Sequence, residues 1–222
     1  MEKILFLDLD GTIIDPRERY YILHKEICSR FSVSPLSMVE YWNQKRKSKP
    51  EADILMQCGA QISNLENVLG DRVSKLEDSL YLKHDRVHDG LIDFLERFSK
   101  THKLVLVTYR KNRKELIRQL LDLDIKKYFY KVLNTSQKEN IKFMGKVNII
   151  SQNFDDEQYV GVFIGDTEVD MLAGKFMKMT TVAFLNGIRE RSILEKNYPN
   201  FYIDSWNVED WNSGLKEMIG LK

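Results

Sequence analysis

The sequence predicts an α/β protein with a Rossmann-like parallel sheet core, interrupted by an inserted all-helical domain. Short, continuously apolar segments alternate with helical patterns after residue 86, as is typical of parallel strands covered on both faces. Between residues 16 and 85 there is helical periodicity and no strand pattern. We therefore expect a core built from residues 1–15 and 86–222. The helical insertion would span residues 16–85.

The individual elements follow from the same patterns. Continuous apolar segments predict strands over 3–7, 103–107, 131–133, 159–164, 180–184 and 201–203. Helical spacing in the core predicts helices over 91–100, 113–123, 146–154, 169–177, 189–197 and 208–219. In the helical insertion it predicts helices over 17–31, 35–47 and 62–82, and a further one that opens at Pro50. Ser34 and Pro35 fit an N-cap and a first helical residue.

Composition limits the classes of partner and compartment. A net charge of +1 gives no reason to expect a nucleic-acid or membrane partner. No apolar segment approaches the roughly 20 residues of a membrane span. Two cysteines, Cys28 and Cys58, lie outside any C-x-x-C pair and are expected as reduced thiols of a cytoplasmic protein. The four histidines show no metal-ligand spacing and are interpreted as surface or packing residues. We expect a monomer or a homodimer.

Polar side chains follow the predicted core strands where each strand ends. In an open α/β sheet, ligands bind beyond the carboxyl ends of the strands. Four carboxylates, a hydroxyl and a lysine are predicted to converge there. The residues of this predicted edge are Asp8, Asp10, Thr108, Tyr109, Arg110, Lys146, Asp166 and Asp170. Carboxylate oxygens suit Mg²⁺, while a lysine and a hydroxyl suit a phosphoryl group. These residues therefore predict a site that binds both Mg²⁺ and a phosphoryl group.

The motifs at this edge resemble those of the haloacid dehalogenase (HAD) superfamily. DLDGT at residues 8–12, a hydroxyl residue after a second strand, a lysine, and GDTEVD at residues 165–170 occur in that order. The helical insertion after the first motif is similar to the helical-cap phosphatase branch, near phosphoglycolate phosphatases and β-phosphoglucomutases. The two aspartate motifs together are specific, whereas either one alone is weak.

The resemblance implies roles for these residues. Asp8 would be the nucleophile that forms an aspartyl-phosphate, and Asp10 the general acid and base. Lys146 would neutralise developing charge. Mg²⁺ would be held by Asp8, the backbone carbonyl of Asp10, Asp166 and Asp170. Contacts to the substrate would come from Thr12, Thr108, Tyr109 and Arg110.

Several alternatives stay open at the level of sequence. Lys142 lies one helical turn before Lys146 and is a rival for the motif lysine. Arg110 could contact a substrate anion or simply lie on the surface of the next helix. The candidates in the helical insertion that could face the cleft are Arg17, Arg19, Tyr20, Tyr21, His24 and residues 45–49.

The predicted function is a Mg²⁺-dependent phosphatase that acts on a small phosphorylated metabolite. A sugar-phosphate mutase is the main alternative. Phosphonate cleavage through a Schiff base on Lys45, Lys47 or Lys49, and a non-catalytic module that binds phosphometabolites, are less favoured.

Overall fold

The core is a six-stranded, fully parallel sheet. The computed structural model describes residues 2–61, 65–135, 141–155 and 159–220, with the backbone alone for 65–67. The strands of the sheet are β1 (Glu2–Leu7), β4 (Lys103–Thr108), β5 (Lys131–Asn134), β6 (Tyr159–Gly165), β7 (Thr180–Phe184) and β8 (Phe201–Ile203). They lie in the order β5-β4-β1-β6-β7-β8. All six predicted strands are confirmed within one or two residues at their ends.

Helices cover both faces of this sheet. They are α6 (Leu91–Phe98), α7 (Arg113–Asp122), α8 (Met144–Ser151), α9 (Glu168–Phe176), α10 (Arg191–Glu195) and α11 (Ser213–Met218). Alternate residues of β1 enter two different apolar clusters: Leu5 and Leu7 pack with Phe94 and Trp206, and Ile4 and Phe6 pack on the opposite face. Burial on both faces explains why the strand is continuously apolar. The predicted helix over 208–219 begins instead as a 3₁₀ turn, and Asn212 caps the shorter α11.

The helical insertion contains five helices among the described residues. They are α1 (Arg17–Arg30), α2 (Met38–Arg46), α3 (Glu51–Gln57), α4 (Leu65–Lys75) and α5 (Ser79–Leu82). The predicted helix start at Ser34-Pro35 is wrong. Ser37 caps α2, because its side chain and that of Glu40 satisfy each other's backbone amides in a capping box.

The predicted helix over 62–82 is divided in two, because the side chain of Asp78 accepts from the amide of Leu80 and starts α5. Its predicted beginning at Ile62 lies outside the described residues. A short antiparallel ladder joins the insertion to the core: β2 (Ile14–Asp15) pairs with β3 (Arg86–Val87). This ladder was not predicted, because two-residue strands carry no periodicity. Among the described residues, no helix is both long enough and apolar enough to cross a membrane.

Candidate active site

The candidate site lies where β1 ends between its two neighbours. Leu7 is paired with Leu106 of β4 on one side and with Ile164 of β6 on the other. The amide of Asp8 continues this ladder by donating to the carbonyl of Ile164 at 3.1 Å. The sheet therefore brings the residues that follow β1, β4 and β6 to one edge, as the sequence predicts.

Lys146 connects two of the carboxylates. Its Nζ lies 2.5 Å from Oδ1 of Asp8 and 2.6 Å from Oδ1 of Asp170. The lysine is buried in the first turn of α8, and the two carboxylates hold its pKa above the ordinary value against the opposing effect of burial. Lys142 is exposed and precedes the helix. Of the two candidate lysines, Lys146 is therefore the one that contacts the carboxylates.

Three carboxylates form a buried cluster of like charge. Oxygens of Asp8, Asp166 and Asp170 all lie within 4.8 Å of one another. Burial, together with repulsion from the other two aspartates, raises the pKa of Asp8 well above its ordinary value despite Lys146. Burial and Asp170 raise the pKa of Asp166 to about 7. Three acidic groups face the single ammonium of Lys146, so full ionisation leaves two negative charges to be compensated.

Asp166 is oriented by the loops that follow β1 and β7. The hydroxyl of Thr12 donates to its Oδ1 at 2.7 Å, and the amide of Ile188 donates to Oδ2 at 2.6 Å. Gly11 adopts a φ of +90°, and a Cβ on Gly11 or Gly187 would lie within 2.3 Å of Asp166. Thr12 is fully buried and its hydroxyl is used on Asp166. In the structure Thr12 therefore supports a carboxylate of the cluster, and its contact with substrate stays a prediction.

Asp170 is held from two sides. One oxygen accepts from Lys146, and the other accepts from the hydroxyl of Thr167 at 2.6 Å and from its amide at 3.0 Å. Thr167 is the N-cap of α9 and Asp170 its third residue, so the pair forms a capping box. This local cap fixes the orientation that aims the carboxylate at Lys146.

Asp10 does not point into the carboxylate cluster but is held by two arginines. Arg110 donates to both of its oxygens, at 2.5 and 2.7 Å, and Arg19 of α1 donates to Oδ1. Burial acts to raise the pKa of Asp10, but Arg110 and Arg19 outweigh it and hold the pKa far below the ordinary value. Asp85 lies on the far side, 3.0 Å from Nε of Arg19 and 3.5 Å from Nη2 of Arg110.

Neither open interpretation of Arg110 anticipates this buried pair. Its guanidinium is buried and lies neither on the surface of the next helix nor free towards solvent. Its Nε and Nη2 both donate to Asp10. Arg19 was only one of several residues that could face the cleft, and Asp85 was not a candidate at all. Residues 19 and 85 are far apart in sequence, so no local pattern could have indicated that Asp85 contacts the two arginines that bind Asp10.

A cavity of about 350 Å³ opens above these groups, between the core and the helical insertion. Thr108, Tyr109 and Lys142 line it from the core, and Arg19 and Tyr20 of α1 from the insertion. The other described residues of its lining include Asp8, Asp10, Lys146, Leu76, Glu77, Arg110 and Arg189.

The remaining insertion candidates lie elsewhere. Arg17 lines a separate cavity of about 960 Å³, and His24 is fully buried inside the insertion. Lys45, Lys47 and Lys49 are absent from the described lining, and Lys45 forms an ion pair with Glu51 at 3.4 Å. The Schiff-base hypothesis requires one of these three lysines at the active site, and among the described residues none of them lines the cavity.

Comparisons with known proteins agree with this fold. The family model described as haloacid dehalogenase-like hydrolase matches residues 4–184. A solved haloacid dehalogenase-like hydrolase from Streptococcus pneumoniae superimposes with a TM-score of 0.72 at 20% identity, covering 92% of this chain and 95% of that one. A predicted phosphatase from Clostridium acetobutylicum gives 0.68 at 17% identity, with 92% and 94% covered.

A third solved structure is a predicted phosphoglycolate phosphatase from Haemophilus somnus, with a TM-score of 0.69 at 15% identity, covering 94% and 96% of the two chains. At these identities the structural matches establish a shared fold. Among curated proteins, no sequence matches this chain.

Proposed function

Because the chain belongs to the haloacid dehalogenase-like hydrolase family, we propose that it is a Mg²⁺-dependent phosphatase of small phosphorylated metabolites that works through an aspartyl-phosphate on Asp8. The observation that carries this proposal is the contact of Lys146 with both Asp8 and Asp170 at the floor of a cavity. A carboxylate whose charge is partly balanced by a fixed ammonium can approach an anionic phosphoryl group, which repulsion would otherwise oppose.

The donor set fits a magnesium ion. Asp8, Asp166 and Asp170 offer hard oxygen ligands within 4.8 Å of one another, and Asp10 would add its backbone carbonyl. Thr12 and the amide of Ile188 orient Asp166, which is the kind of support that ligating carboxylates receive from outer residues. Bound Mg²⁺ would supply the positive charge that lowers repulsion between the carboxylates and the phosphoryl oxygens.

The chemistry then uses this chain's own groups in two steps. An oxygen of Asp8 attacks the phosphorus, the ester P–O bond breaks, and the leaving oxygen takes a proton from Asp10. Water next attacks the phosphorus of the aspartyl-phosphate and gives its proton to Asp10. The bond between Asp8 and phosphorus breaks as inorganic phosphate leaves, so Asp8 is again a carboxylate and Asp10 again carries the proton that it had before the first step. Thr108 and Lys146 would contact the phosphoryl oxygens.

The ion pairs of Asp10 imply a rearrangement in the first step. An aspartate held by two guanidinium groups is ionised, which suits the base of the second step but not the acid of the first. The substrate is itself an anion that enters the cavity lined by Arg19 and Arg110. We propose that it competes with Asp10 for these guanidinium groups and so frees Asp10 to take up and transfer a proton.

The helical insertion is proposed to act as a cap over this cavity. Glu77, two residues after α4, accepts hydrogen bonds from the amides of Lys111 and Asn112 at 3.0 and 2.6 Å. On the other side, Arg46 of α2 donates to the carbonyl of Leu185 at 2.6 Å. These contacts join the insertion to the loops at the sheet edge. A cap in this position would exclude water while the phosphoenzyme forms and would present side chains to the leaving group.

Phosphate release from a panel of small phosphomonoesters, with Mg²⁺ or with a chelator, tests the proposal. We expect Mg²⁺-dependent release that Asp8→Asn abolishes. The matched control is Asp93→Asn, which makes the same chemical change at an exposed position of α6 and should behave as wild type. Conversion of a hexose 1-phosphate to its isomer without free phosphate would identify a mutase. Tight binding of phosphometabolites without turnover would identify a binding module.

A further inference from the structure

A second cluster of potential metal ligands lies inside the helical insertion. His24 and Cys28 occupy α1 four residues apart, and Cys58 ends α3. The Sγ of Cys28 lies 3.6 Å from Nε2 of His24, and the Sγ of Cys58 lies 4.0 Å from the same nitrogen. All three potential ligand atoms are within 4.8 Å of one another. The sequence-based interpretation of the histidines missed this cluster, although His24 and Cys28 lie on one face of a helix.

The distances match the edges of a metal coordination polyhedron. With zinc–sulfur and zinc–nitrogen bonds of about 2.3 and 2.1 Å, a tetrahedral angle separates sulfur from nitrogen by about 3.6 Å. Cys28 already lies at that distance from His24. Cys58 is a few tenths of an ångström farther away, so a small rotation of its side chain would complete a three-ligand set.

The second nitrogen of His24 is held as a metal-bound histidine requires. Its Nδ1 lies 3.2 Å from Oε1 of Glu51. Donation of the Nδ1 proton to this carboxylate leaves the lone pair of Nε2 facing the two sulfurs. Histidine ligands are commonly oriented by a carboxylate in this way. The other oxygen of Glu51 contacts Tyr41, Arg72 and Lys45 at 3.0, 3.1 and 3.4 Å.

Charge and surroundings favour a soft divalent cation. Two thiolates and one divalent cation sum to zero, and Glu51 is balanced by the cations beside it, so the buried site would carry no large net charge. His24 and Cys28 are fully buried, and the apolar side chains of Ile27 and Leu55 pack around them. Sulfur and imidazole ligands select Zn²⁺ over the hard Mg²⁺ expected at the carboxylate cluster.

We propose that His24, Cys28 and Cys58 bind a zinc ion that links α1 to α3 within the helical insertion. The fourth position is left for water on the side of Cys58, whose side chain is partly exposed. The ion would hold α3 against α1, the helix that also carries the cavity-lining residues Arg19 and Tyr20. This site is independent of the proposed phosphatase chemistry.

Titration of the reduced, metal-free protein with Co²⁺ under anaerobic conditions tests this proposal. We expect one equivalent to give the intense visible bands of tetrahedral cobalt together with a thiolate-to-metal charge-transfer band, and Zn²⁺ to remove both. The charge-transfer band requires a cysteine ligand, so Co²⁺ bound at the carboxylate cluster cannot produce it. A reduced wild-type protein that gives no such band at one equivalent would overturn the proposal.

Variants assign the ligands. Cys28→Ser and Cys58→Ser should each reduce or remove the charge-transfer band. Cys58 is the safer position for folding because it is only partly buried. Glu51→Gln should retain the band but weaken Zn²⁺ binding about tenfold to a hundredfold in competition with a chromophoric chelator. His102→Gln changes a histidine of the α/β core, outside the helical insertion, and serves as the control, which should bind Co²⁺ and Zn²⁺ as wild type does. Unchanged binding in both cysteine variants would contradict the assignment.

Discussion

Both carboxylate oxygens of Asp10 accept hydrogen bonds from the guanidinium of Arg110, at 2.5 Å from Nε and 2.7 Å from Nη2. The pairing is bidentate, which is the geometry that arginine makes and lysine cannot. It joins the residue proposed as acid and base to the loop after β4. Arg19 binds the same carboxylate from the helical insertion, so Asp10 lies where the two parts of the molecule meet.

Arg110→Met should raise the pKa of Asp10, because it removes one of the two positive charges that stabilise the ionised carboxylate. The limb of the pH profile of kcat/KM that reports Asp10 should shift to higher pH, and KM should rise about tenfold or more as a substrate contact is lost. Arg110→Lys should give an intermediate shift of the pH profile, since the positive charge remains but the bidentate hydrogen bonding is lost. Arg118→Met, on the exposed face of α7, is the control; a profile identical to that control would contradict the proposed role.

Lys146→Met should lower kcat by at least about a hundredfold, as expected when a fixed charge at the reacting centre is removed. Asp8 and Asp170 would then face each other without the ammonium that now lies between them. Lys142→Met should keep most of its kcat and change KM at most, because that lysine is exposed and only lines the cavity. Steady-state kinetics of the two variants decide between the lysines. The opposite ranking would show that Lys142 is the functional one.

Thr12→Val should weaken activation by Mg²⁺ without removing it. The hydroxyl of Thr12 donates to Asp166 at 2.7 Å, and loss of such an outer contact commonly weakens metal binding about tenfold to a hundredfold. The Mg²⁺ concentration for half-maximal activity should rise by that factor, while kcat at saturating Mg²⁺ stays close to wild type. Thr101→Val at an exposed position serves as the control. A raised KM for substrate with unchanged Mg²⁺ dependence would instead place Thr12 at the substrate.

Metal-free protein should lose stability as the pH rises from about 4 to 7. The folded-state pKa of Asp166 is raised to about 7, whereas an unfolded aspartate titrates near 4, so the folded state binds the extra proton in this window. Asp85, raised to about 6, acts in the same direction. The melting temperature should fall by several degrees between pH 5 and 8, since each kcal/mol corresponds to roughly 2–4 °C for a chain of this size.

Two comparisons check the origin of this decrease of melting temperature with pH. Asp166→Asn should flatten it, because the amide cannot ionise, and Mg²⁺ should flatten it in wild type by compensating the ionised carboxylates. Asp93→Asn should leave it unchanged. A metal-free protein that becomes more stable from pH 5 to 8 would show that the cluster does not control this part of the stability curve.

The sequence predicts the sheet and the polar residues that gather at its edge well, because both depend on local signals. A buried parallel strand is apolar along its whole length, and polar residues such as Asp8 and Asp166 directly follow such strands. Because the strands are parallel, their carboxyl ends then lie at the same edge of the sheet. The helix boundaries that were missed depend on single side chains: Ser37 and Asp78 each start a helix that periodicity alone placed elsewhere.

Contacts between distant segments are what the sequence could not predict. The binding of Asp10 by Arg19 and Arg110 depends on how the helical insertion docks against the core. The cluster of His24, Cys28 and Cys58 was missed for a related reason. The spacing of His24 and Cys28 was visible in the sequence, but Cys58 and Glu51 reach them only through the packing of α3 on α1.

The central claim is that Asp8 becomes phosphorylated during turnover, and direct trapping tests it. The protein is mixed with a phosphomonoester that it hydrolyses, quenched in acid within one turnover and reduced with borohydride, and the modified residue is located by peptide mass spectrometry. We expect modification of Asp8 in the wild-type protein and none at this position in Asp8→Asn. Phosphate release by Asp8→Asn at the wild-type rate, or modification of another residue, would contradict it.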